Sequence, residues 1–302
     1  ARALKHARPV ADIAVVRNGP METTATLPPI ERALPNLTAW LAHFRCAPIP
    51  VLAGTAALVR EFADHEDAVD AHLLAETIGA DPLMTLKLLS HVGTRSRRDT
   101  DVETVLSALV LMGIGPFFRH FSDLVTIDEA LADAPDGAAA LGGLTAVLDR
   151  AHRGARFALG FAAHRLDPDA AVIHEAALLH DFAEVLLWCH APALALEIAR
   201  RQRDDTTLRS AAVQRAVLGI ELADLQQALM KAWRLPELLV RLGDVRHAQQ
   251  VQVRNVLLAV RVARHSAQGW DNPALPDDIA AIGALLQLGP APTMALLRDI
   301  DA

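Results

Sequence analysis

His180 and Asp181 stand side by side in "AALLHDFAEVLL", residues 176–187, a stretch that is otherwise almost wholly apolar. Imidazole and carboxylate groups are both ligands of divalent metal ions, so an adjacent His and Asp can form part of a metal site. The same two residues can instead cap or hydrogen-bond a neighbouring helix. The chemistry open to this chain therefore depends on which other side chains reach the pair.

A helical hairpin around residues 167–169 would bring one more candidate to the pair. His152 lies 15 residues before position 167, and His180 lies 13 residues after it. At the rise of an α-helix, both imidazoles are roughly 20 Å from the turn. In an antiparallel helix pair, His152, His180 and Asp181 could face one another and form half of a metal centre.

A hydrolytic metal centre also needs a further ligand, usually a carboxylate, and an open position for water. The helix expected after residue 252 carries Arg254, Arg261, Arg264 and His265, and no carboxylate follows until Asp271. A guanidinium group beside a metal ion repels it. The last ligand of such a centre is therefore missing from this helix.

Three arginines suggest a different chemistry for the same groove. Guanidinium groups grip phosphate bidentately and stay charged at physiological pH. If the second lobe folds so that they lie near the pair, Arg246, Arg261 and Arg264 could hold an anion, and the protein could be a nucleotide-binding sensor. Arg150 and Arg153 are further candidates for positive charge there. The alternative is that these arginines pair with surface carboxylates.

Composition predicts an all-α protein. The chain has 302 residues, of which 52% are apolar, and it contains no Tyr. Much of the apolar content is Ala and Leu, which favour helices. The formal net charge of −7 argues against binding to a phosphate backbone. The stretch "PLMTLKLLSHV" lacks the side chains that read base edges, so DNA binding is not expected. The basic run "RSRR", residues 95–98, is typical of a solvated loop.

Several other functional classes have no support in the sequence. Two cysteines, Cys46 and Cys189, are too few for a disulfide framework and fit a reducing cytoplasm. No apolar run reaches the roughly 18 residues that would span a bilayer. Neither a phosphate-binding glycine loop nor a spacing typical of a Ser-His-Asp site is present. We therefore expect no membrane partner and no cofactor.

The pattern along the chain predicts an extended lead-in and two helical lobes. The lead-in covers residues 1–28, the first lobe residues 29–135, and the second lobe, with the C-terminal helices, residues 140–302. The small and polar residues of 128–143 favour a boundary there. Asp81 and Pro82 are typical of a helix start, because Asp caps the first turn and Pro lacks an N–H that would be unpaired there.

Five segments in chain order resemble those of the HDOD group, a branch of the HD superfamily found in bacterial signalling proteins. The resemblance covers roughly residues 45–265, and it includes Asp81-Pro82, Gly113, Gly219, Trp233 and Pro236 at matching positions. The segments are "APIPVL", "LLAETIGADPLMTLKLLSHVGT", "TVLSALVLMGIGPFF", "LLHDFAEVLL" and "LGIELADLQQALMKAWRLPELL".

This chain departs from the HD superfamily at the positions that would bind metal. Arg264 follows Ala263 where the superfamily has Ala-Asp, so the distal carboxylate is gone. Of the superfamily's ligands only His152, His180 and Asp181 can be matched. The resemblance thus implies a two-lobed helical bundle with an HD-like second lobe and the relic of a metal site.

The resemblance also implies a function. It suggests a regulatory or scaffolding module of bacterial signal transduction, cytoplasmic and without catalysis, whose partner is another signalling protein. The alternatives are a metal-dependent phosphohydrolase or phosphodiesterase and the nucleotide sensor. Trp233 is expected to be a core anchor, and Cys189 a small buried apolar residue.

Overall fold

The computed structural model describes residues 28–95, 102–205 and 207–302. Its first half is a set of short helices, as the composition predicts. The only β-type pairing in the described residues is one isolated bridge between Val51 and Thr126. The helices of this half are α1 (Leu37–Cys46), α2 (Ala53–Ala63), α3 (Ala71–Gly79), α4 (Pro82–Arg95), α5 (Val105–Met112), α6 (Ile114–His120) and α7 (Ile127–Leu131).

The second half is built around the longest helix, α8, which packs against α9, α10, α11, α15 and α17. Its start lies inside the stretch 128–143, where the lobe boundary is predicted. The helices of this half are α8 (Gly137–His164), α9 (Ala170–Leu178), α10 (Phe182–His190), α11 (Pro192–Asp204), α12 (Ser210–Leu218), α13 (Leu222–Ala232), α14 (Glu237–Leu242), α15 (Val251–His265), α16 (Leu275–Leu286) and α17 (Pro290–Asp301).

Asp81 has a larger role than its place before α4 suggests. Its carboxylate accepts backbone hydrogen bonds from Leu83 at 2.9 Å and from Met84 at 3.1 Å, which caps α4. It also accepts the N–H of Leu52 at 2.8 Å. Asp81 is almost fully buried. One carboxylate therefore starts α4 and fixes the proline-containing turn that precedes α2, while Pro82 occupies the first helical position.

Gly113 and Gly219, two of the residues that match the HDOD segments, adopt backbone angles that other residues rarely adopt. Gly113 joins α5 to α6 at φ +82°, and Gly219 ends α12 at φ +73°. L-residues with a Cβ rarely adopt these angles. Pro236 precedes α14. Trp233 is 6% exposed, and its ring lies 5.9 Å from that of Phe182.

A single hydrophobic core joins the two halves, running from Trp40 in α1 to Leu297 in α17. Cys189 is buried within it. The predicted lead-in, residues 1–28, lies outside the described residues except for Pro28, and so do residues 96–98 of the basic run.

In the described part of the chain no helix is by itself long and apolar enough to cross a membrane. Two sharply bent helix pairs meet that test by length and composition alone, namely Ala170–His190 with Pro192–Asp204 and Leu275–Leu286 with Pro290–Asp301.

Candidate functional site

His180 and Asp181 lie in the turn between α9 and α10. The Asp181 side chain makes no capping bond to α10, so its carboxylate is directed elsewhere. Nδ1 of His180 donates to Oδ1 of Asp181 at 2.9 Å. Asp181 therefore does not cap α10; its carboxylate instead hydrogen-bonds a neighbouring helix, the other structural role that the sequence allowed.

The side chains that face Asp181 are arginines from two long helices. Arg264 of α15 lies 3.2 Å from Oδ2 of Asp181, and Arg150 of α8 lies 3.6 Å from the same oxygen. Arg150 also pairs with Glu184 of α10 at 3.1 Å. We call Arg150, Asp181, Glu184 and Arg264 the Asp181 network. Its two cations and two carboxylates hold three helices together.

The two carboxylates of the Asp181 network differ in acidity. Burial alone would raise the pKa of Asp181, but the hydrogen bond from His180 and the nearby guanidinium groups outweigh it and hold the pKa well below its usual range. Burial raises the pKa of Glu184, and Arg150 offsets this only in part. The pKa of Arg264 is raised by the charge of Asp181. Asp181 is therefore the more acidic of the two carboxylates, because both arginines lie beside it.

His152 does not join this network, and the prediction that it faces His180 and Asp181 is wrong. Its Nε2 donates to the backbone oxygen of Ala80 at 2.6 Å, on the other half of the molecule. His152 does lie close to the pair along the axis of α8, since Arg150, two residues away, contacts Asp181. The prediction fails because the His152 side chain points in a different direction around that axis. Two residues along a helix turn a side chain by about 200°, so Arg150 faces the pair and His152 faces away.

The three arginines expected to bind an anion do not converge. Arg264 belongs to the Asp181 network. Arg246 forms a two-pronged pair with Asp244, with distances of 2.8 and 2.9 Å. Arg261 pairs with Asp278 of α16 at 2.5 Å. Each guanidinium group therefore already has a carboxylate of its own.

A cavity of about 570 Å³ opens beside the Asp181 network. Arg150, Glu184 and Arg264 line it together with Arg246, whereas Arg261 and His152 do not. Gln226 forms part of the wall, and its amide donates to the backbone oxygen of His180 at 2.5 Å. The amide oxygen of Gln226 also accepts a hydrogen bond from the Ala183 N–H. These two bonds hold the turn that carries His180 and Asp181 in place.

Sequence reasoning named Arg150 only as one of several nearby positive charges, and it missed Glu184 and Gln226 as members of this site. The sequence does place Glu184 near Asp181, because it follows by three residues at the start of α10 and so lies on the same helical face. No such signal exists for Gln226, because its contact with His180 is 46 residues away in the chain.

The donor set does not fit the metal ion that the HD superfamily would imply. Asp181 has two guanidinium groups within 3.6 Å of one oxygen, where a cation would have to bind. Such a site repels a divalent ion. Across residues 28–95, 102–205 and 207–302, no group of three or more His, Cys, Asp or Glu is arranged to hold a metal.

Comparison with known proteins identifies the family. Residues 49–249 match the HDOD domain family, and the chain belongs to it. No curated protein gives a significant sequence match.

Solved structures share the fold. The MmoQ response regulator from Methylococcus capsulatus is 23% identical with a TM-score of 0.62, over 83% of this chain and 98% of that one. A virulence factor from Campylobacter jejuni is 17% identical with a TM-score of 0.56, over 83% of this chain and 90% of that one. At these identities the similarity establishes the all-α fold.

Proposed function

We propose that the chain is a non-catalytic regulatory or scaffolding module of bacterial signal transduction. It works in the cytoplasm through contacts between its helical surfaces and another signalling protein. The family supports the signalling role, and so does the fold shared with a protein described as a response regulator. The absence of catalysis rests on one observation, the convergence of Arg150 and Arg264 on Asp181.

That convergence explains why the HD-like lobe has become structural. A catalytic HD site would use Asp181 to hold a metal, whereas here its oxygens accept from His180 and Arg264, and the Arg150 guanidinium lies 3.6 Å away. The ion pairs tie α8 and α15 to α10 and close the bottom of the cavity. The lobe then offers a rigid surface for a partner in place of a reaction centre.

The test is a joint measurement of metal content and activity on the purified full chain. After purification without chelator, elemental analysis should find far less than one Fe, Mn or Zn per chain. Cyclic dinucleotides should not turn over with added Mn²⁺ or Mg²⁺. One bound metal per chain, or turnover that disappears in His180→Ala, would contradict the proposal.

A matched variant tests the reason for the missing activity. Arg150→Ala combined with Arg264→Asp removes both guanidinium groups and restores a carboxylate at the distal position. This double variant should gain Mn²⁺ relative to the unchanged chain. The control, Arg200→Ala with Arg298→Asp, changes two arginines outside the network and should gain none.

A nucleotide-binding sensor has less support, because Arg246, Arg261 and Arg264 each already pair with a carboxylate. Calorimetric titration with guanosine nucleotides and cyclic dinucleotides should give no heat at millimolar concentration. Micromolar binding that Arg264→Ala weakens would favour the sensor instead.

A further inference from the structure

Four basic side chains lie together on the first half of the molecule, away from the Asp181 network. Lys87, His91 and Arg95 follow one another at intervals of four residues and so share one face of α4. His120, the last residue of α6, contacts His91, with ring centroids 3.7 Å apart and ring planes tilted by 45°. We call these four residues the α4 cation cluster.

The members of the cluster are in direct contact. The Arg95 guanidinium lies against the His91 ring, 2.7 Å from its Nε2. The Lys87 ammonium donates to the backbone oxygen of Ile49 at 2.7 Å, which uses one of its three protons. The ring of Phe121 packs against both imidazoles and forms an apolar wall beside them. The cluster is half-buried at Lys87 and His91 and exposed at Arg95 and His120.

Carboxylates do not balance this charge in the described part of the chain. None of the ion pairs among the described residues joins a carboxylate to any of the four, although all four can carry a positive charge. Asp81 and Asp123 act on Lys87 only at longer range. Asp81 already accepts three backbone N–H groups. Among the residues that the structure describes, the cluster therefore has donors and positive charge without a matching carboxylate.

The pKa values of Lys87, His91 and His120 reflect this imbalance. Burial lowers the pKa of Lys87 to about 8 despite the two distant carboxylates. Burial, His120 and Arg95 together lower the pKa of His91 to about 3. The pKa of His120 is lowered by burial and by the charges of Arg95 and Lys87. A bound anion would relieve this repulsion and restore the protons.

We propose that Lys87, His91, Arg95 and His120 form a binding site for a doubly charged oxyanion of the phosphate class. Lys87 and the imidazoles supply point donors, and Arg95 supplies the planar fork that matches two phosphate oxygens. A metal ion bound by the two imidazoles is the competing possibility, and the positive charges of Lys87 and Arg95 oppose it. This site is independent of the function proposed for the HD-like lobe.

The test follows the imidazole resonances of the full chain by NMR while sulfate or inorganic phosphate is added at low ionic strength. His91→Gln and His120→Gln assign the two signals. Both signals should shift with one common Kd, and Arg95→Gln should weaken binding about tenfold, as expected for the loss of one charge-assisted pair. Arg32→Gln, which changes an exposed arginine elsewhere, should leave the Kd unchanged.

Three outcomes decide between the possibilities. Equal shifts with chloride at matched ionic strength would reduce the effect to general screening and overturn the site. Shifts of both imidazoles with stoichiometric Zn²⁺ but not with sulfate would replace it with a metal site. O-phosphoserine distinguishes the source of the anion: tighter binding than inorganic phosphate indicates a phosphorylated protein side chain, and equal binding indicates the free ion.

Discussion

The Asp181 network and the α4 cation cluster arrange similar groups in opposite ways. The network alternates two guanidinium groups with two carboxylates, so its charges cancel and its hydrogen bonds are made within the protein. The cluster sets four basic side chains against one another, with no carboxylate in contact within the described residues. The first arrangement stabilises the fold and leaves no place for a metal. The second costs stability and leaves a place for an anion.

Removal of the central carboxylate should have the largest effect. Asp181→Ala leaves Arg264 without the carboxylate it pairs with and Arg150 with Glu184 alone. Removing one partner of a buried pair costs about 3–5 kcal/mol, and the partial exposure of Arg264 places the expected loss at about 3 kcal/mol. Urea unfolding measures the loss. Asp204→Ala is the control, because its pair with Arg200 is exposed and such pairs contribute less than about 1 kcal/mol. Equal losses in the two variants would show that solvent already screens the network.

Parts of this comparison could be predicted from the sequence because they depend on neighbouring residues. Asp81 precedes α4 and caps it as predicted, and Asp70 caps α3 in the same way. The spacing of Lys87, His91 and Arg95 also places them on one helical face. Similar local patterns also predicted the all-α fold class, the C-terminal helices and the family.

Contacts between distant segments could not be predicted in the same way. Helical rise gave the height of residue 152 beside His180, but the rotation of α8 depends on which of its faces is buried, and that put Arg150 at the site. The contact of Arg264 with Asp181 spans 83 residues. His120 contacts His91 across 29 residues of chain that include the positive-φ turn at Gly113.

Backbone packing, and not ion pairing, holds the helix that carries the cation cluster. Gly93 lies between His91 and Arg95 on α4. A Cβ at this position would lie 2.7 Å from the Trp233 carbonyl oxygen and closer still to that of Arg234. Gly93→Ala must therefore displace backbone and should cost about 2 kcal/mol of unfolding free energy.

Gly54→Ala is the control for this variant. A Cβ at Gly54 in α2 would meet nothing within 4 Å, so the change should be neutral or slightly stabilising. Urea unfolding of both variants gives the comparison. If Gly93→Ala matched Gly54→Ala, the two halves would not be in tight contact at this point.

The cation cluster should make the protein sensitive to acid. The pKa of His91 is lowered to about 3 in the folded chain, so the unfolded chain binds the proton first as the pH falls. The free energy of unfolding should therefore fall below about pH 6.5, the ordinary value for His. His91→Gln should remove about 1 kcal/mol of this loss at pH 5, allowing for solvent screening. His164→Gln, an exposed change at the end of α8, should follow the unchanged chain, and identical curves for all three would exclude repulsion at His91.

The smallest effect on the free energy of unfolding is expected at Glu175 of α9, which lies outside the Asp181 network and the α4 cation cluster. Its effect on stability has the opposite pH dependence to that of His91. One carboxylate oxygen accepts the N–H of Val105 at 2.9 Å, at the start of α5, and the other is buried without a hydrogen-bond partner in the described structure. Burial raises the pKa of Glu175 to about 7, and the bond from Val105 offsets this only in part. The folded chain therefore keeps a proton that the unfolded chain has already lost.

Because the folded chain holds this proton, stability should fall as the pH rises from about 4.5 to 7 and then level off, in contrast to the acid sensitivity of His91. Glu175→Gln keeps an oxygen for the Val105 N–H and removes the charge, so it should be more stable than the unchanged chain at pH 8 by about 1 kcal/mol and equal to it at pH 4. Urea unfolding across this range measures the difference. Glu76→Gln, an exposed change on α3, should show no such crossover. A constant difference at every pH would mean that Glu175 titrates normally and that its contact with α5 does not respond to protons.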